Sequence, residues 1–207
     1  MAPSLAPGLV ADILLDRVYA AVDDPHRIHT PQALGLQALS RAQEWVSIRF
    51  ALLRRTFPLT LAASVPLYDR FTVAPEALTL LSASRAGVPL ALVPYTALRY
   101  RDPQWLATSG TPDTVYCIRW SLWGFYPVPA AATTVVVTCQ VVASSLVHIE
   151  QPLSIPESYA ERAEQVAIGL LLLGRERHFQ AGVTFIQRGL DLSAAQMQAF
   201  LTRGGFS

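Results

Sequence analysis

The sequence predicts an α+β fold: a helical bundle formed by N- and C-terminal helices, with a small antiparallel β-sheet or sandwich inserted between them. Three observations predict it. Apolar residues recur at helical spacing near both ends of the chain, over residues 9–56 and again from 156 onward. Between residues 59 and 142 the apolar period falls to two, as it does in strands. Each helix then owns one apolar stripe that it cannot hide alone. Burying one Leu or Val is worth roughly 1.5–3 kcal/mol, so the early and late helices must meet. The divisions that follow are residues 1–58 (N-terminal helices), 59–150 (β insertion) and 151–207 (C-terminal helices and tail).

Taken in order, residues 1–7 read as a loose tail with prolines at Pro3 and Pro7. Residues 9–22 carry Val10, Ile13, Leu14, Val18 and Ala21 at helical spacing. Residues 23–31 form a turn-rich connector, in which Asp23 and Asp24 close the first helix or cap a turn. Thr30 before Pro31 restarts a helix that runs to about Thr56 and stops at Pro58. Leu39, Ala42, Val46, Phe50 and Leu53 form its stripe, widened by Trp45 and Leu52. Arg41, Gln43, Glu44, Ser47 and Arg54 stay outside.

The clearest strand is residues 133–142, where Val135, Val137, Cys139 and Val141 alternate with Thr134, Val136, Thr138 and Gln140. Residues 115–120 form another, with Tyr116, Ile118 and Trp120 on one face, and residues 122–126 complete a hairpin with it. Residues 59–65, 78–85 and 90–93 are weaker strands, separated by proline- and glycine-bearing turns.

The closing helix is the most informative stretch. Ser154 and Glu157 have the spacing of a capping box, and Pro156 falls in the first turn. Tyr159, Ala163, Val166, Leu170 and Leu173 form one apolar face, with Glu161, Arg162, Glu164 and Gln165 opposite. Past Ala167 the polar face disappears, because Ile168, Leu171 and Leu172 are apolar too. A helix apolar on all sides is covered on all sides. Ile168, Leu170, Leu171 and Leu172 are therefore expected to serve both the bundle core and a contact with a neighbouring copy. Residues 176–190 continue as a helix, and Ser193 caps a last one containing Met197 and Leu201. Gly174, Gly182 and Gly189 read as places of close helix packing or a kink.

Composition points to association. Apolar residues make up 52% of the chain and charged residues 15%, against about 25% charged in an average chain. Too few charged side chains remain to cover the surface of a small domain. Net charge is +1 and all sixteen basic residues are arginine, with no basic run, which argues against sequence-directed nucleic-acid binding. Cys117 and Cys139 fit no metal or redox spacing and are expected as reduced, buried thiols, although a cross-strand pair stays open. The longest apolar run, near residues 166–173, is far below the roughly 20 residues of a membrane span.

No chemical site is expected. The four histidines lack metal spacing, Ser144 and Ser145 lack a His/Asp company, and no glycine-rich loop cradles a phosphate. The expectation is a non-enzyme with no cofactor and no metal. Trp105, Trp120 and Trp123 read as core or interface anchors.

Residues 67–190 resemble the head-to-tail adaptor (connector) proteins of tailed bacteriophages. The features occur in order. Leu67 and Tyr68 lead into the run from Val73 to Leu78, and Gly87-Val-Pro-Leu90 follows. Trp105 precedes Gly110-Thr-Pro112, which feeds the strand at Val115. Pro127-Val-Pro129 ends the next strand, and Ile155-Pro-Glu-Ser-Tyr159 opens the closing helices. The closing helix is more apolar than the family pattern, and residues 9–31 have no match in it.

The resemblance implies a structural virion protein at the head–tail junction, assembled in the host cytoplasm. It implies a ring of twelve copies beneath the portal protein that extends the DNA channel, retains the packaged genome and docks tail or nozzle proteins. DNA would pass through the lumen without sequence readout, and no membrane is involved. Residues 191–207 would be the arm that touches the portal, through Leu192, Met197, Phe200, Leu201 and Phe206. Trimming that arm should leave the bundle folded. The rival expectations are a tail-side completion or joining protein, and a non-viral oligomeric interaction module.

Overall fold

A computed structural model describes residues 10–175 and 178–202. In chain order the elements are α1 (Ala11–Ala21), α2 (Gln32–Arg49), β1 (Arg54–Leu61), β2 (Leu67–Asp69), α3 (Arg70–Val73) and β3 (Ala77–Arg85). Then come β4 (Val88–Pro89), β5 (Ala91–Pro94), α4 (Tyr95–Arg101), β6 (Ser109–Gly110), β7 (Thr114–Ile118) and β8 (Leu122–Tyr126). The chain continues through β9 (Val128–Pro129), β10 (Thr133–Val141), a 3₁₀ turn (Glu157–Tyr159), α5 (Ala160–Leu173), α6 (Phe179–Leu190) and α7 (Ala194–Thr202). The elements form two compact units. One draws on both ends of the chain, up to Leu53 and from Ala143 on; the other is Arg54–Val142.

The helical unit is built around α5, which packs on α1, α2 and α6. Leu14, Leu15, Val18, Leu39, Val46, Val166, Ile186 and Leu190 have no exposed surface and form its centre. The expected stripe of α2 is present at Leu39, Ala42, Trp45 and Val46, while Phe50, Leu52 and Leu53 fall beyond the helix and are only partly buried, and two polar residues placed outside the stripe are inside. Gln43 and Ser47 are fully buried. The Gln43 amide donates to the Ser144 carbonyl at 2.5 Å, and its oxygen accepts from the Ser154 N–H at 3.1 Å. Ser154 is thereby used as a tether to α2 rather than as a helix cap, its hydroxyl bonding that of Ser144. Helix α5 starts later, after the 3₁₀ turn. Helix α2 ends at Arg49 instead of Thr56, because residues from Arg54 onward pair as β1. Ser193 does cap α7, in a reciprocal box with Gln196.

Asp24 ties the α1–α2 connector together. Its carboxylate accepts from the N–H groups of Ile28, His29 and Thr30 at 2.8, 3.0 and 2.6 Å. Arg175 lies 3.9 Å away and donates to the Val22 carbonyl and the Thr30 hydroxyl. Burial works against ionisation of Asp24, but the hydrogen bonds from Thr30, Ile28 and His29 outweigh it and hold the carboxyl below its ordinary value. A carboxyl depressed on folding stabilises fully above its unfolded value of about 3.9 and stops doing so as pH falls through the folded value. Asp24→Asn should therefore lower the thermal midpoint at neutral pH, with the difference from the parent closing in acid. A difference that stays constant into acid would remove this role.

The second unit corrects the expected fold class. A helical bundle carrying one small antiparallel sheet or sandwich does not describe the chain; the fold is mixed α/β, with packed helices and open, unclosed sheets. One four-stranded sheet has the order β1-β10-β3-β4, another β2-β8-β7-β5, and β6 and β9 form a two-stranded ladder. Pairs β5–β7 and β6–β9 are parallel. A parallel pair needs a crossover, and α4 lies within the one joining β5 to β7. Period-two spacing carries no information about strand direction. Helix α4 is bracketed by Pro94 and Pro103 and is too short to show a period.

β10 is as expected, with Val135, Val137 and Cys139 fully buried between β1 and β3. The β7–β8 hairpin is present, but β7 ends at Ile118. Trp120 therefore sits in the turn, 67% exposed, rather than on the strand face. Cys117 and Cys139 are both free.

Candidate subunit-contact surfaces

The four residues singled out on α5 divide into two pairs. Ile168 and Leu172 are buried in the helical core. Leu170 and Leu171 are only partly buried and line a groove of about 390 Å³ between α5 and α2. Helix periodicity explains the split, since α1, α2 and α6 cover different sectors of α5 and leave this one open. The far wall is α2, with Leu34 half exposed and Ala38 below it. Arg41 and Arg175 complete the rim. The Arg41 guanidinium lies 5.8 Å from the centre of the Trp45 ring. Leu34 escaped the sequence reading; its only signal is the spacing to Ala38 and Arg41 along one face of α2 over two turns, off the main stripe.

In the C-terminal segment, Met197 and Phe200 are buried in the helical core. Phe200 meets Trp45 edge to face at 4.8 Å. Leu192 is partly buried and Leu201 is exposed. Phe206 lies outside the described residues. α7 thus closes the core, and removing residues 191–207 would strip Trp45 of its cover instead of leaving the unit intact.

In the sheet unit, three of the five motif residues meet, Gly110, Pro127 and Pro129, whereas Trp105 and Pro112 are buried separately. Ser109–Gly110 pairs with Val128–Pro129, placing Gly110 opposite Pro129. The Val128 N–H donates to the Thr108 carbonyl at 2.9 Å and the Ala130 N–H to the Gly110 carbonyl at 3.0 Å. A Cβ on Gly110 would lie 3.2 Å from the Pro127 ring, so the small residue lets the two segments approach. Pro112 is buried ahead of β7. Trp105 is buried edge-on against Tyr116 at 5.1 Å. The Tyr116 hydroxyl is buried without a hydrogen-bond partner, and burial pushes its pKa up.

Asp102 organises the loop before Gly110. It accepts from the Thr108 hydroxyl at 2.6 Å, the Gln104 N–H at 2.9 Å and the Tyr126 hydroxyl at 3.2 Å. The Thr108 bond is the main reason its carboxyl is held below the ordinary range. Every one of these groups is used to build the loop, and none converges on an open pocket.

Among the described residues, no three His, Cys, Asp or Glu side chains group as a metal site. No helix among them is long and apolar enough to cross a membrane. What the surfaces offer is apolar contact area with arginines at the margin, the composition of protein interfaces. No family model matches the chain, and no curated protein matches it in sequence.

Proposed function

We propose that the chain is a structural subunit that assembles with copies of itself into a ring, in the manner of the head-to-tail adaptors that residues 67–190 resemble. In this reading the ring sits under the portal of a tailed-phage virion, continues the DNA channel and offers a face to the tail. The observation that carries it is the groove at Leu34, Leu170 and Leu171. It lies beside the apolar run of α5, from which Val166, Ile168 and Leu172 are already buried in the core. A contact between two different faces, repeated by rotation, closes into a ring. The small share of charged residues supports the same reading.

Native mass measurement and images of the purified chain should show a closed ring with a channel. Leu171→Asp should give monomers whose circular dichroism matches the parent, because Leu171 is partly exposed and its loss spares the core. Leu172→Asp is not an equivalent probe, since Leu172 is buried and the change would unfold the unit. An unchanged assembly of the Leu171→Asp chain would overturn this surface. Binding to isolated portal rings but not to isolated tails would separate the adaptor role from a tail-side joining role.

A further inference from the structure

A contact that repeats by rotation needs two different faces on each copy, and the α2–α5 groove is one of them. Its described lining is apolar with positive charge at the margin. Arg41 and Arg175 lie in it together with His29, and it contains no Asp or Glu. Arg175 is already matched by the Asp24 carboxylate at 3.9 Å. Arg41 is exposed, stands beside the Trp45 ring and makes no ion pair among the described residues. Charge complementarity therefore asks for an apolar side chain flanked by unmatched carboxylates.

Among the described residues, the large apolar side chains exposed on helices of this unit are Ile13, Leu34, Phe179 and Leu201. Leu34 belongs to the groove. Helices α6 and α7, which carry Phe179 and Leu201, contain no acidic residue. Ile13 differs. It is half exposed on α1, with Asp12 beside it and Asp16 about one turn further on. These two carboxylates share a single guanidinium, that of Arg27, at 3.8 and 2.7 Å. One negative charge is left over between them, and exposed Asp23 adds another just past the helix. Arg17, the cation within α1, lies 3.6 Å from Glu164 and is matched there. Two turns beyond Ile13, on the same side of the helix, Ala20 is exposed and small. A small residue there lets the helix axis come close to a wall, since interaxial distance follows the side chains at the contact.

We propose that the outer face of α1 from a second copy seats in the α2–α5 groove, with Ile13 against Leu34 and Leu171 and the acidic margin of α1 toward Arg41. The two faces share no residue and every copy carries both, so the contact is head-to-tail and repeats around a ring. A helix laid into an apolar groove between helices is an established mode of recognition. This inference rests on the ring reading above and names the second half of its contact.

The test uses the full chain and three variants, by native mass and circular dichroism. Ile13→Arg and Ala20→Arg each spoil the α1 face at an exposed position; Leu171→Asp spoils the groove. Each variant alone should be a folded monomer. Mixing Leu171→Asp with either α1 variant should give a dimer of one copy of each and nothing larger, because each partner keeps the face that the other lacks. Adding Arg41→Gln to the Ile13→Arg chain should weaken that mixed dimer by about twofold to fivefold. If both α1 variants still assemble as the parent does, or the mixture stays monomeric while the parent assembles, the inference is overturned and the ring remains. A monomeric parent removes the ring reading itself, and this contact with it.

Discussion

Gly182→Ala is expected to cost about 1–3 kcal/mol of stability, and to cost more when combined with Gly169→Ala. Taken alone, helix propensity says the opposite, since Ala is better than Gly by about 0.8–1 kcal/mol inside a helix. Packing decides the sign. Helices α5 and α6 run antiparallel and touch backbone to backbone. A Cβ on Gly182 would lie 2.8 Å from the Gly169 carbonyl oxygen and 2.9 Å from the Leu173 nitrogen. One on Gly169 would lie 2.7 Å from the Gly182 carbonyl oxygen and 2.6 Å from Cγ1 of Ile186. Backbone atoms cannot rotate out of the way, so the helices must separate. Separation loosens Val166, Ile186 and Leu190, all without exposed surface. Gly174 supplies the control, because its nearest such neighbour is the Leu171 carbonyl oxygen at 3.6 Å. Gly174→Ala should be neutral or mildly stabilising. Urea unfolding reads the differences directly, and each kcal/mol should move the thermal midpoint by about 2–4 °C. A Gly182→Ala chain with a higher midpoint than its parent would show that the helices are not in this contact.

The glycine series also shows what the sequence can and cannot disclose. Gly182 and Gly189 were legible as close packing because they sit seven apart on one face of a helix. Gly169 was not, being lost in an apolar run where nothing marks it off from its neighbours. Gly174 looked equivalent and is not, because the helix ends there. The same division holds elsewhere. β10 was legible because its alternation is long and one-sided. The parallel pairing of β5 with β7 was not, because direction leaves no trace in a period of two.

Gln43 read as a surface residue since its partners, Ser144 and Ser154, lie about a hundred positions away. Burial of a polar side chain depends on such distant partners and has no local signature. Trp120 failed for a related reason. Its spacing to Ile118 continues the strand pattern, while the chain turns at Arg119, which takes a positive φ of 55°. Of the candidate surfaces, the Leu170–Leu171 half of the α5 run was legible as excess apolarity. Its partner wall at Leu34 was not, because which sector of a helix stays open depends on where the other helices pack.

Phe200→Ala should cost about 3–5 kcal/mol, a large share of the roughly 5–15 kcal/mol that holds a typical domain together. Phe200 is buried and meets the Trp45 ring edge to face, with Met197 also buried on α7. Removing the ring leaves a cavity against Trp45 that the capped, nine-residue α7 cannot close by shifting. The measurement is the unfolding midpoint in urea together with near-ultraviolet circular dichroism, to which Trp45 contributes alongside the other aromatic side chains. The distinction matters for any partner bound by this end of the chain. Loss of portal binding in a chain trimmed at Asp191 would follow from loss of the core alone, whatever the segment touches. Leu201→Asp isolates the contact, because Leu201 is exposed and contributes little to the core. If α7 both seals the unit and presents a face, Phe200→Ala lowers the midpoint, whereas Leu201→Asp leaves it in place and weakens portal binding. An unchanged midpoint in Phe200→Ala would mean that α7 is not docked on Trp45, and the arm would then be free to make every contact the resemblance assigns to it.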